Sequence, residues 1–564
     1  MKKIVAFVLL VVLAQPLVFA QKKPKSLTDE QRVIHVLNRL GFGARPGDVE
    51  RVKAVGLEKY IEQQLNPEKI TDTVAENKIR DLSILNMTTA ELYEKYPQPG
   101  QLLRQLQARG MLPAELAAEM PKNNQTAPPA NPLENEKYRK VIEEYYRENG
   151  LERPQRIVAE LQASRILRAV YSERQLQEVM VDFWTNHFNI FAGKGADRWL
   201  LPAYDRDTIR PNAMGKFSTL LQATAQSPAM LFYLDNFQSV SPNANQRRGR
   251  LQQLRPQQPQ QQRRGINENY ARELMELHTL GVDGGYTQKD VQEIARCFTG
   301  WTIFQPRGGA AAVNAMTGEA GRRNAGTFFF NARVHDDGEK TVLGQKIPAG
   351  GGMKDGLMVL DILAHHPSTA KFIATKLVRH FVSDTPPKGL VDRVAATFTK
   401  TDGDIRETLK AIFFSKEFNS TEAYRVKIKR PFELVVSAIR TLGADTNGGP
   451  GTHQWIARMG EPLYGFQTPN GYSDAAESWV NTGGLLERMN FGLALANNRV
   501  QGTRVSLAKI NGEQAKVMDD YLKTLLAGDI SAATREALLK QLDPSDPVTK
   551  VVGLILGTPE FQRQ

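Results

Sequence analysis

Apolar residues recur at the helical period through most of this chain. Over residues 28–65, Val33, Ile34, Leu37 and Leu40 fall at helix spacing, a glycine-rich break follows in GFGARP (41–46), and a second helix enters near Asp48. This opening is a short helix pair. Helical patterning continues to Met120, and the Pro-, Asn- and Ala-rich stretch 121–137 separates an N-terminal helical region (28–120) from a main helical domain (138–564). Long helices are expected at 138–149, 156–171 and 173–191. The segment 238–265 is rich in Gln, Arg and Pro, lacks the apolar residues that would offset the entropy of ordering, and is expected to be a disordered insertion.

The period changes only once. In TFFFNARVHDDGEKTVL (327–343), β-forming residues flank Asp336-Asp337-Gly338, which predicts a hairpin turning there. Helices resume from Asp355, with Pro367 dividing 356–365 from 368–382. The fold class is therefore mainly α, a multi-helical body with one small β-hairpin.

Residues 1–20 carry a different signal. Lys2 and Lys3 precede an apolar run, Pro16 breaks it, and Val18-Phe19-Ala20 supplies a small-residue cleavage site, as in a Sec-type secretory signal peptide. The mature protein is expected to be periplasmic or extracellular, with no membrane span once the signal is removed. Cys297 is the single cysteine, which excludes an internal disulfide and argues against cysteine-based metal sites. The formal charge of +12 loses two lysines with the signal, and Arg247, Arg248, Arg250, Arg255, Arg263 and Arg264 sit in the insertion. What remains is mildly basic and lacks the folded basic face with stacking aromatics that a nucleic-acid partner requires.

Polar chemistry concentrates in three places. A helix turns roughly 100° per residue, so over 173–188 Leu176, Met180, Phe183, Trp184 and His187 share an apolar arc while Glu178, Asp182 and Asn186 line the opposite side. In NENYARELMELH (267–278), Tyr270, Ala271, Leu274, Leu277 and His278 point inward, and Asn269, Arg272, Glu273 and Glu276 form the polar side. Imidazoles His187, His278 and His335, from separate elements, are a candidate set for Zn²⁺ or Cu²⁺ with an open position for water; Asp336 supplies a fourth ligand or orients a ring. The bland alternative for each is a hydrogen-bonded core histidine.

The second candidate set is carboxylate-based. Glu273 and Glu276 share a face with Asn269, and two carboxylates so placed divide acid and base roles when burial raises the pKa of one; Asp182 is a further catalytic candidate. Glu268, Arg272 and Glu276 also have ordinary ion-pair spacing, which favours a structural face. Third, GFQTPNGY (465–472) makes a tight turn at Pro469-Asn470-Gly471 and presents Phe466, Gln467, Asn470 and Tyr472, a mixture suited to holding a sugar or peptide and equally to aromatic packing. Lys376, Arg379 and His380 sit where cations complement a helix C-terminus and need no function. There is no GxSxG, HExxH or Walker A run.

Several of these stretches resemble the bacterial family known as domain of unknown function 1800. The matching motifs are DFWTNHF (182–188), 267–301, VHDDGEKTVLG (334–344), HPSTAKFIATKLVRHF (366–381), KRPFEL (429–434) and 465–484. The resemblance implies an exported, largely helical protein, often encoded beside a second family that looks like the sulfatase and alkaline-phosphatase superfamily. It implies no activity. Two readings follow: a metal- or carboxylate-assisted hydrolase acting on an envelope or extracellular polymer, or a non-catalytic binding and assembly protein partnering the sulfatase-like neighbour.

Overall fold

Capping chemistry opens the first helix, α1 (Asp29–Arg39): Thr28 accepts from the Gln31 amide and Gln31 returns the bond to the Thr28 amide. The computed structural model describes residues 26–119, 135–243, 265–304, 323–508 and 513–564. The signal-like leader, most of the linker (120–134) and most of the insertion (244–264) lie outside the described residues.

Two helices organise the centre, α2 (Gln155–Tyr171) and α3 (Gln175–His187). The corner between them is sealed by polar groups brought from far away. Gln64 donates to the Glu173 carbonyl at 2.9 Å and accepts from the Leu176 amide at 3.1 Å, while Asp72 takes the Ser172 hydroxyl and the Glu173 amide, each at 2.7 Å. Each bond satisfies a backbone or hydroxyl group that burial would otherwise leave unpaired.

Helix α4 (Glu268–Glu276) is capped by Asn267, and α5 (Gln288–Cys297) by a Thr287/Asp290 box. Further along come α6 (Met353–Ala364), α7 (Pro367–Phe381) and α8 (Pro431–Thr441). Proline at the first position of α7 and of α8 fits a helix start, where its missing N–H has no partner to lose. The protein is mainly α, with short antiparallel strand pairs among the helices.

The strands form where expected but pair differently. Strand β2 (Thr327–Phe330) pairs with β1 (Trp301–Phe304), and β3 (Lys340–Val342) with β4 (Gln345–Ile347). The hairpin turn is Leu343-Gly344, both residues left-handed at φ 48° and 78°, as a two-residue turn requires. A β-carbon makes leucine unfavourable in that conformation, so the turn carries less sequence signal than Asp336-Asp337-Gly338. That stretch is fixed by side chains, since the buried Lys340 ammonium donates to the Asp336 and Gly338 carbonyls.

The boundary expected near residue 120 does not divide the core. Val33, Leu37, Tyr60 and Tyr96 belong to the same continuous apolar cluster as Trp184, Phe381 and Phe561. A small second cluster joins Leu102, Leu103 and Leu106 to Tyr138, Ile142 and Tyr146 across the linker. Among the described residues no helix is long and apolar enough to cross a membrane.

Candidate functional site

The polar side of α3 is a buried seam. Glu178 is ion-paired with Arg210 at 2.7 Å, and Asp182 lies between Arg165 of α2 and Arg430, the residue before α8. Arg430 also holds Glu461 at 2.7 Å, and the second Glu461 oxygen accepts the Phe432 amide at 2.8 Å. Burial works to raise the Asp182 carboxyl, but Arg430 and Arg165 outweigh it and hold the group below the usual carboxylate range. Burial pushes Glu461 up to about 7 despite Arg430.

This geometry removes Asp182 from the catalytic candidates. Asp182 is 6% exposed and each carboxylate oxygen is held by a guanidinium group in the interior, away from any substrate in solvent. It is an anchor for three segments of chain.

Farther along α3, Asn186 donates to the Tyr472 carbonyl at 2.8 Å and accepts the Tyr472 amide at 2.7 Å, binding the 465–472 loop like a strand neighbour. Gly471 lies against it with φ 70°, and a β-carbon there would stand 2.2 Å from the Asn186 carbonyl oxygen. Only glycine fits. Asn189 donates to the Phe466 and Thr468 carbonyls, and the Tyr233 hydroxyl to the Gln467 carbonyl at 2.9 Å. Beyond the loop, Asp474 accepts from the His380 ring at 3.0 Å.

The loop's candidate residues divide. Phe466 and Tyr472 pack their rings 4.5 Å apart, Tyr472 also reaches Trp479, and its hydroxyl donates to the Pro462 carbonyl, so these aromatics mainly hold the loop. Gln467 and Asn470 are exposed, and Asn470 accepts the Thr468 hydroxyl.

On α4, Asn269 is exposed while Glu273 and Glu276 are half-buried. Burial first, and then the Glu276 charge, raise the Glu273 carboxyl above its ordinary value against the pull of Arg272. Glu276 accepts the Tyr286 hydroxyl at 3.1 Å. Arg272 bonds Gln288 instead of either flanking glutamate, and Gln288 in turn reaches Glu268. The Tyr233 phenol is pushed up to about 12 by burial, with the charges of Asp197 and Glu273 adding to it, and its hydroxyl tethers the loop at Gln467.

The three imidazoles do not converge as a ligand set. His187 Nε2 bonds the His278 carbonyl at 3.1 Å and so carries the proton, which leaves Nδ1 as acceptor for the Lys376 ammonium at 2.9 Å. Neither nitrogen is free. The His278 ring lies 6.2 Å from that of His187, between centroids, and its Nε2 is buried with no hydrogen-bond partner among the described residues. His335 belongs elsewhere: Nδ1 meets the Thr299 carbonyl at 2.8 Å, and Nε2 meets Asp355, which Lys340 also holds at 2.6 Å. Asp336 is paired with Arg296 at 3.0 Å. Among the described residues no group of three or more His, Cys, Asp or Glu side chains is arranged to hold a metal. Burial keeps His278 neutral, with its pKa lowered to about 3, and lowers Lys376 to about 8.

Sequence reading missed Arg165, Arg430, Glu461 and Asp474. A signal for Arg165 was present, because the residue sits in a continuous helical run (LQASRILRAV) whose neighbours Leu161, Ile166 and Ala169 are buried. Partners 248 residues apart cannot be paired by spacing.

A family model described as "Protein of unknown function (DUF1800)" matches residues 35–563, and the chain belongs to that family. No curated protein and no solved structure matches it.

Proposed function

We propose that this protein is an exported, carboxylate-assisted hydrolase acting on an envelope or extracellular polymer, with Glu273 as general acid and Glu276 as general base. One observation carries the reading: Glu273 is half-buried on the same helix as Glu276, and its carboxyl is raised by burial and by that neighbouring charge. A carboxyl raised in this way is protonated nearer neutral pH than an ordinary glutamate. Glu273 gives its proton to the leaving-group oxygen as the scissile bond breaks, and Glu276, oriented by the Tyr286 hydroxyl, takes a proton from the attacking water. Asn269, Gln467 and Asn470 offer amide donors and acceptors to the polymer. Export rests on the leader pattern of residues 1–20.

The test is release of soluble reducing ends or free amines from cell-wall peptidoglycan and envelope polysaccharide by the purified full chain. Release that drops at least roughly 100-fold in a folded Glu273→Gln variant supports the proposal. Release that survives the substitution overturns it. The exposed amides of the tethered loop also suit a recognition surface. Polymer or the sulfatase-like neighbour bound without turnover favours the non-catalytic reading.

A further inference from the structure

Lys376 lies one helical turn after Phe372 on α7, with its ammonium 5.5 Å from the Phe372 ring centroid. Its single hydrogen bond among the described residues goes to His187 Nδ1 at 2.9 Å, and it makes no ion pair there. The His187 tautomer is set from the other side by the His278 carbonyl, so the acceptor nitrogen is held towards the amine. The residue keeps partial exposure. The charged groups around it are few: Asp474 favours the cation, Arg379 opposes it, and burial outweighs both.

We infer that Lys376 is a nucleophilic amine that condenses with the carbonyl carbon of small aldehydes, at a site separate from the Glu273 face. A lysine that is desolvated and unpaired with carboxylate is the kind that carries imine chemistry, whereas a solvated or ion-paired lysine stays an ammonium. In the neutral amine one N–H is held by His187 Nδ1, which leaves the nitrogen lone pair free to attack. A C–N bond forms, the carbonyl oxygen becomes a hydroxyl, and both amine hydrogens leave with that oxygen as water. The product is an imine, with no change of oxidation state. His187 is a positioning residue in this step.

Reductive methylation of the full chain with formaldehyde and cyanoborohydride at pH 7.5, read by peptide mass spectrometry, tests this. Lys376 is expected to be modified at least roughly tenfold faster than Lys388, whose side chain is 82% exposed. The advantage is expected to shrink in His187→Phe and to vanish for the wild-type chain in denaturing urea, a comparison that stands even if the variant does not fold. Modification of Lys376 no faster than Lys388 under native conditions overturns the inference, as does an advantage that persists in urea.

Discussion

Arg430 of the KRPFEL motif grips Asp182 of the DFWTNHF motif across 248 residues of chain. Arg165 closes on the same carboxylate from α2, and Glu461 balances Arg430 from the segment that leads into the 465–472 loop. Motifs far apart in sequence are therefore ends of one buried network, and the network fixes where the exposed loop begins.

Removing the shared anion takes from Arg165 the carboxylate it is paired with in the interior and leaves Arg430 to Glu461 and Glu433. Asp182→Ala is expected to destabilise the protein by about 3–5 kcal/mol, the usual consequence of breaking one side of a buried pair. Urea denaturation of the variant beside wild type measures it. A loss under about 1 kcal/mol would show that the seam is solvated.

Gly471→Ala acts on the loop alone. The left-handed backbone and the 2.2 Å approach to the Asn186 carbonyl oxygen leave no room for a methyl group. A penalty of about 1–3 kcal/mol is expected, appearing as faster amide exchange over 465–474 with little change elsewhere. Unchanged exchange in the loop would contradict the tethering.

The buried His278 makes stability depend on pH. Its folded pKa of about 3 lies below the unfolded value of 6.5, so below pH 6.5 the unfolded chain takes up a proton that the native state refuses. Stability conferred by the neutral ring is complete above 6.5 and is lost as pH falls towards 3. His278→Phe is therefore expected to flatten the dependence of unfolding free energy on pH by up to about 1.4 kcal/mol per unit in that window. An identical slope in the variant would mean that the ring is protonated in the fold.

Metal removal tests the imidazole geometry. Both nitrogens of His187 and both of His335 are engaged within the protein, and Asp336 is held by Arg296. Dialysis against EDTA is expected to leave the melting temperature unchanged, and elemental analysis to find no stoichiometric zinc or copper. A bound equivalent lost in His187→Ala would restore the metal reading.

The helical class, the central helices and the inward histidines were legible because they depend on local period and capping. His187 and His278 are buried where the 3.6-residue pattern places them. What escaped depends on long-range partners. Asp182 reads as a polar-face residue until Arg165 and Arg430 arrive from other elements, and His335 reads as a possible ligand until Thr299 and Asp355 occupy its ring. The strand pairing failed for a related reason, since a leucine in a left-handed turn carries no compositional signal. Glu273 and Glu276 lie half-buried on α4, three residues apart, as their spacing implied.

The most direct measurement is the pH profile of kcat/KM for polymer hydrolysis in wild type and Arg272→Gln. A general acid must be protonated, so activity falls as pH rises through the Glu273 pKa. Arg272 lowers that pKa without belonging to the proposed acid–base pair. Its removal is expected to move the alkaline limb to higher pH while activity on the acid side is retained. A limb that stays in place would contradict the assignment of Glu273 as the acid.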